Sequence, residues 1–282
     1  MIEFALIVLY ECKKKKQNLH TILLFSNSYR FLGLTIFVLL SGLIYVSLSG
    51  LTRQSIFSYY VHMKFSFKQF IVPNFGKRLA FMLPAVILMG VFVSILVEIG
   101  WGTDPASFMN LNIASALGWG LGNTEVLVYG LMLVFTFIFG AEMIGFGTLA
   151  NMILIGYVID LCRWIWKNIG FAQFIYDGSF GLRAVIFAAT LLCFVVVASI
   201  YINAQMGVAP YDAIPNILSG WWTKIPFALI RICFDLAAVG VGVLAGKLNP
   251  EGIQGSIVGS ILMSLLLGPV ISIVGKPLKR IL

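Results

Sequence analysis

From Leu79 onward the chain is a series of long apolar runs, interrupted twice by shorter and more polar stretches. Leu79 to Ile99 predicts a first membrane span, followed by a short segment from Pro105 to Leu121, an apolar run from Thr124 to Phe139 and a span from Gly147 to Trp166. The same order of events then returns, with a span over Leu182 to Ala204, a short segment over Pro210 to Trp222, and spans over Pro226 to Ala245 and Gly255 to Gly275. At about 1.5 Å per residue, a hydrocarbon core of about 30 Å needs about 20 helical residues. The short segments reach only about 25 Å and about 20 Å by the same rise. The expected fold is therefore all-α: a polytopic helical membrane protein built from two internal repeats, each with three long spans and one short or broken helix.

The repeat is clearest where a long run gives way to a short one. Ser94 to Pro105 reads S-I-L-V-E-I-G-W-G-T-D-P, and Ser199 to Pro210 reads S-I-Y-I-N-A-Q-M-G-V-A-P, with Ser, Ile, Gly and Pro at the same offsets. Proline suits a first helical turn, where its missing donor is not needed, and glycine three residues earlier lets the chain turn sharply. Gly102 with Pro105, and Gly207 with Pro210, are thus predicted helix breaks. Paired breaks of this kind mark discontinuous membrane helices gathered around a site. The units expected are 63–170 and 171–282. Residues 1–62 read as an extension: Phe31 to Gly50 is long enough to span, but cations flank it on both sides, and Met63 is the natural start expected on that ground.

Composition strengthens the membrane reading. Hydrophobic residues make up 60% of the chain and charged ones 11%, against about 25% charged in soluble domains; the mean hydropathy is +0.99. The 19 Lys and Arg against 11 Asp and Glu lie at segment ends and do not form one basic face, which excludes nucleic acid as a partner. Four cysteines without ligand spacing, and two histidines that both precede the repeats, support no metal, cofactor or disulfide framework. Three basic clusters remain: Lys77 and Arg78; Arg163, Lys167 and Arg183; Lys276, Lys279 and Arg280. If all are cytoplasmic, each unit crosses an even number of times, which favours four crossing segments per unit related by an axis along the membrane normal. The alternative is three spans plus a re-entrant half-helix, which inverts the second unit.

Six polar residues near the breaks or inside spans are candidates for solute binding. Glu98 lies within a turn of the end of an apolar span, where an ionisable group is either functional or interfacial. Asn203 is its mate at the second break. Asp104 and Asp212 lie at the starts of the short segments, where a carboxylate caps free amides or meets a cation. Arg231 and Asp235 stand four apart on one helix face, either as a structural ion pair or as part of a solute site. Asp160 is expected to pair with Arg163. No phosphate-binding loop, nucleophile elbow or dinucleotide fingerprint occurs, so no enzyme activity is expected.

G-T-D-P-A-S (Gly102 to Ser107), G-F-G-T-L-A-N-M-I-L-I-G-Y-V-I-D (Gly145 to Asp160) and G-V-A-P-Y-D-A (Gly207 to Ala213) together resemble the YczE/YyaS/YitT-like bacterial membrane proteins over about residues 75–275. In that family the break motif usually carries an aspartate where this chain has Ser107, so an acidic role carries over at Asp212 alone. The resemblance implies a multi-pass protein of the bacterial plasma membrane, and the charge pattern places its C-terminus in the cytoplasm. The function expected is a transporter or channel for a small polar solute, with its site between the repeats; the alternative is a non-transporting accessory or regulatory protein. The implied partners are the lipid bilayer and the solute, with a homo-oligomer left open.

Overall fold

The computed structural model describes residues 66–278. The extension expected over 1–62, and the C-terminal Lys279 and Arg280, lie outside them. The chain folds as helices α1 (Phe75–Ile99), α2 (Pro105–Leu117), α3 (Leu121–Phe139), α4 (Phe146–Asn168), α5 (Phe171–Asp177), α6 (Phe180–Asn203), α7 (Pro210–Trp221), α8 (Phe227–Leu248) and α9 (Ile257–Leu278). Among the described residues, α1, α3, α4, α6, α8 and α9 are long and apolar enough to cross a membrane. At about 1.5 Å per residue, the 13 residues of α2 and 12 of α7 span only about 20 Å and cannot cross.

Side-chain contacts fix the direction of each helix. Gly90 lies against Ile155 and Val158, Ser94 against Cys162, and Glu98 bonds Arg163, so α1 and α4 run side by side in the same direction. Arg78 donates to the Ala204 carbonyl and Arg183 to the Ile99 carbonyl, so α6 runs opposite to α1. Ser199 meets Ile271 and Asn203 meets Gly275, which makes α9 parallel to α6. Two parallel helices at the ends of one segment require an odd number of crossings between one face and the other. This corrects the even count favoured from charge: Arg163, Lys167 and Arg183 lie at the face where α1 ends, opposite Lys77, Arg78 and Lys276. The residues named explain why the charge count misled, because Arg163 and Arg183 are engaged locally, by Glu98 and the Ile99 carbonyl.

The two short helices begin inside the bundle. Phe108 faces Gly242, Asn112 faces Gly246 and Ser115 bonds Asn249, so α2 lies parallel to α8 and starts near its middle. Tyr211 lies beside Tyr129, Ile217 beside Gly140 and Trp221 beside Phe135 and Phe139, so α7 lies parallel to α3 and also starts near its middle. Both are re-entrant half-helices, and they point to opposite faces.

The turns that lead into them are held tightly. Gly102 has φ +124° and Gly207 φ +109°, a region that disfavours any side chain. A Cβ on Gly102 would lie 2.7 Å from the Cα of Gly259, and one on Gly207 would lie 2.5 Å from the Gly145 nitrogen. The freed backbone groups find partners at the starts of α9 and α4: the Thr103 amide donates to Ser260 Oγ at 3.2 Å, Gly147 to the Met206 carbonyl at 2.6 Å, and Val208 to the Met143 carbonyl at 2.9 Å. Backbone breaks at membrane depth need such cover.

Candidate functional site

The starts of α2 and α7 bring charged side chains to the centre of the bundle. Pro105 and Pro210 occupy the first helical positions, and Asp104 caps α2 by accepting the Ser107 amide at 3.0 Å. Asp104 lies within electrostatic reach of Asp212, Arg231 and Glu125, which ties the two half-helices to one charged centre. Asp104, Ser107, Asp212, Asn216 and Arg231 are all partly accessible, whereas Asn110, Glu125 and Asp235 are buried.

On the α7–α8 side every charge is paired. The Arg231 Nη1 donates to Asp212 Oδ1 at 2.6 Å and its Nε to Asp235 Oδ2 at 3.0 Å. Its guanidinium also sits 5.4 Å from the centre of the Tyr211 ring, a cation–π distance. The Tyr211 hydroxyl donates to Asp235 Oδ1 at 2.8 Å, which satisfies the second oxygen of that buried carboxylate. Phe234 packs on the same tyrosine at 4.8 Å. One guanidinium thus bonds two carboxylates, one on each helix.

The α2–α3 side is built differently. Glu125 is 3% exposed, and its carboxylate interacts with Tyr129 one turn further along α3. It fits against α4 because position 156 is glycine; a Cβ there would lie 2.5 Å from Glu125 Oε2. Asn110 is 1% exposed, and both its amide nitrogen and its oxygen lack a hydrogen-bond partner, as does Asp104 Oδ2. By contrast Asn112, two residues along, is saturated by the Phe108 carbonyl and by the backbone of Gln254. Among the described residues neither Asp104 nor Glu125 has a basic side chain at ion-pair distance.

Of the six candidates, the structure gathers Asp104, Asp212, Arg231 and Asp235. Glu98 lies elsewhere, bonded to Arg163 at 2.8 Å near the end of α1. Asn203 lies at the end of α6, where it donates to the Ser199 and Gly275 carbonyls and joins α6 to α9. Asp160 does not pair with Arg163; it caps α3 through the Leu121 and Gly122 amides at 3.0 and 2.8 Å. Sequence reasoning passed over Glu125, Tyr129, Tyr211 and Asn110. The signal for two of them was an offset of 106 in place of 105, which sets Glu125 opposite Arg231 and Tyr129 opposite Asp235.

Comparison with known proteins agrees with this architecture at the level of family. Residues 76–276 match DUF6198, described as a family of unknown function. Over 194 residues the chain is 25% identical to the uncharacterized membrane protein YczE of Bacillus subtilis (strain 168), covering 67% of this chain and 83% of that one. No solved structure gives a significant match. The family match runs from the start of α1 almost to the end of α9 and includes both half-helices with every charge at the centre of the bundle; the chain belongs to the DUF6198 family and is similar to a membrane protein of uncharacterised function.

Proposed function

We propose that the chain is a non-enzymatic transporter or channel for a small polar solute, bound where the two half-helices start. The observation that carries the reading is the convergence of two helix N-termini, four carboxylates and one arginine at the middle of a six-span bundle, with some of these groups partly accessible. Intramembrane charges are costly and by default functional, and half-helix ends at mid-depth are how many transporters hold solutes. The opposed directions of α1 and α6, and of α2 and α7, support reading the halves as inverted repeats. Lys77, Arg78, Lys224 and Lys276 lie toward one face, and this supports reading that face, with the end of α9 that leads to the C-terminus, as the cytoplasmic one in a bacterial plasma membrane.

One observation favours a second reading, a membrane accessory protein without cargo: Arg231 is already engaged by Asp212, Asp235 and the Tyr211 ring. Purified protein screened by thermal shift against ions and metabolites separates the two. A ligand bound only by the native state raises the melting temperature by mass action. A transporter shows a saturable rise for one solute class that is lost in folded Asp212→Asn. No rise for any solute, with Asp212→Asn merely less stable, gives the accessory reading.

A further inference from the structure

The two sides of the charged centre are matched in acid but not in base. In the second half, Asp212 and Asp235 share the guanidinium of Arg231. In the first half, Asp104 and Glu125 feel one another's charge, yet among the described residues no cation bonds either. Four carboxyl groups against one guanidinium give the centre more acid than base, and at membrane depth a carboxylate without a cation is strongly disfavoured, so each surplus group either holds a proton or gains a cation.

Asn110 supplies a second and independent sign. Phe108, Met109 and Asn112 face α8, so at 3.6 residues per turn Asn110 lies on the opposite side of α2, on one stripe with Ser107. The Ser107 amide is what holds the Asp104 carboxylate. Asn110 is therefore one turn beyond Ser107 on the same stripe, almost wholly buried, with donor and acceptor both unspent. Buried amides without partners are uncommon in native proteins and call for a reason. Its oxygen suits a cation's N–H or its charge, and its nitrogen suits a neighbouring carboxylate.

We propose that the solute is a small monovalent cation, held by Asp104, Glu125 and Asn110 in the first half as Arg231 is held by Asp212 and Asp235 in the second. This deepens, and rests on, the transporter reading of the same centre. The arginine head group shows what fits: a planar or compact cation with N–H donors, approached by carboxylates from two helices and by an aromatic ring, the part that Tyr129 takes beside Glu125. A single charge is favoured, because Arg231 lies within electrostatic reach of Asp104 and repels a second one. Among the described residues no group of three or more side chains has the make-up of a metal site.

The test uses the full chain in lipid nanodiscs, with thermal shift and calorimetric titration of guanidinium, methylammonium and sodium chlorides, and with urea as the uncharged counterpart of guanidinium. At least one cation should bind saturably and urea should not. Glu125→Gln and Asp104→Asn should each weaken that cation by about tenfold or more, and Asn110→Ala should weaken it less, while the exposed Glu142→Gln binds as the parent does. The cation bound identifies the source: guanidinium or methylammonium marks an organic amine solute, and sodium alone marks an inorganic ion. If a neutral or anionic metabolite binds at this centre and no cation does, the cation assignment is overturned and the transporter reading stands. If cations bind equally to parent, Glu125→Gln and Asp104→Asn, the site assignment is overturned. If no solute of any charge binds, the transporter reading itself falls. Melting temperatures without ligand show that each variant is folded.

Discussion

The two half-helices begin in the same kind of turn and differ in what surrounds them. α7 starts in a closed electrostatic unit, in which Asp212, Arg231, Asp235 and the Tyr211 hydroxyl satisfy one another at 2.6–3.0 Å. α2 carries Asp104 Oδ2 at its cap and Asn110 in its second turn, both without hydrogen-bond partners, and among the described residues its neighbour Glu125 has no cation at ion-pair distance. The first arrangement stabilises the fold at the cost of adaptability. The second sets aside stability that a bound group can restore. A fold that repeats its breaks but closes the charge balance on only one side assigns different work to the two sides.

The comparison breaks most severely at the turns that both sides share. Gly102→Ala and Gly207→Ala each force a side chain into a positive φ and against backbone 2.5–2.7 Å away. Both should cost about 3 kcal/mol or more, read as loss of folded protein by size-exclusion chromatography and a large drop in melting temperature. The next largest effect should come from the closed side. Asp235→Leu leaves the Tyr211 hydroxyl without its acceptor and Arg231 with Asp212 alone and should cost about 2 kcal/mol, while Asp235→Asn, which keeps an acceptor for the hydroxyl, should recover part of that loss.

The open side should respond with the opposite sign. Glu125→Gln removes a carboxylate that has no ion-pair partner among the described residues, so without solute the melting temperature should stay within about 1 kcal/mol of the parent or rise. A loss comparable to that of Asp235→Leu would show that Glu125 is part of a structural network and erase the contrast. The smallest effect belongs to Glu98→Gln. Its pair with Arg163 is partly exposed and should contribute about 1 kcal/mol or less, with solute binding unchanged.

Much of this was legible in the sequence. The Gly-x-x-Pro pairs announced both half-helices because glycine and proline act through local backbone geometry, which needs no knowledge of neighbours. The Arg231 and Asp235 pair was legible for the same reason, one turn apart on a single helix. What depended on other helices was not. Glu98 and Arg163 come together from different helices, so one looked like a site residue and the other like a marker of the cytoplasmic face. Asn203 looked equivalent to Glu98 but joins α6 to α9. Glu125 lay hidden because a single residue of slippage in the repeat set it opposite Ile230 instead of Arg231. Its importance comes from burial against Gly156, which only packing reveals.

The half-helices are also exchanged between the halves: α2 lies on α8, and α7 lies on α3. During synthesis α2 emerges more than a hundred residues before the surface that covers it. At about 5–20 residues per second, that interval is on the order of ten seconds. For that time the newborn first half has a short polar helix and an open turn at Gly102 without their final cover, in or beside the bilayer. Neither half is then a self-sufficient folding unit, and maturation depends on whatever shelters the first until the second arrives.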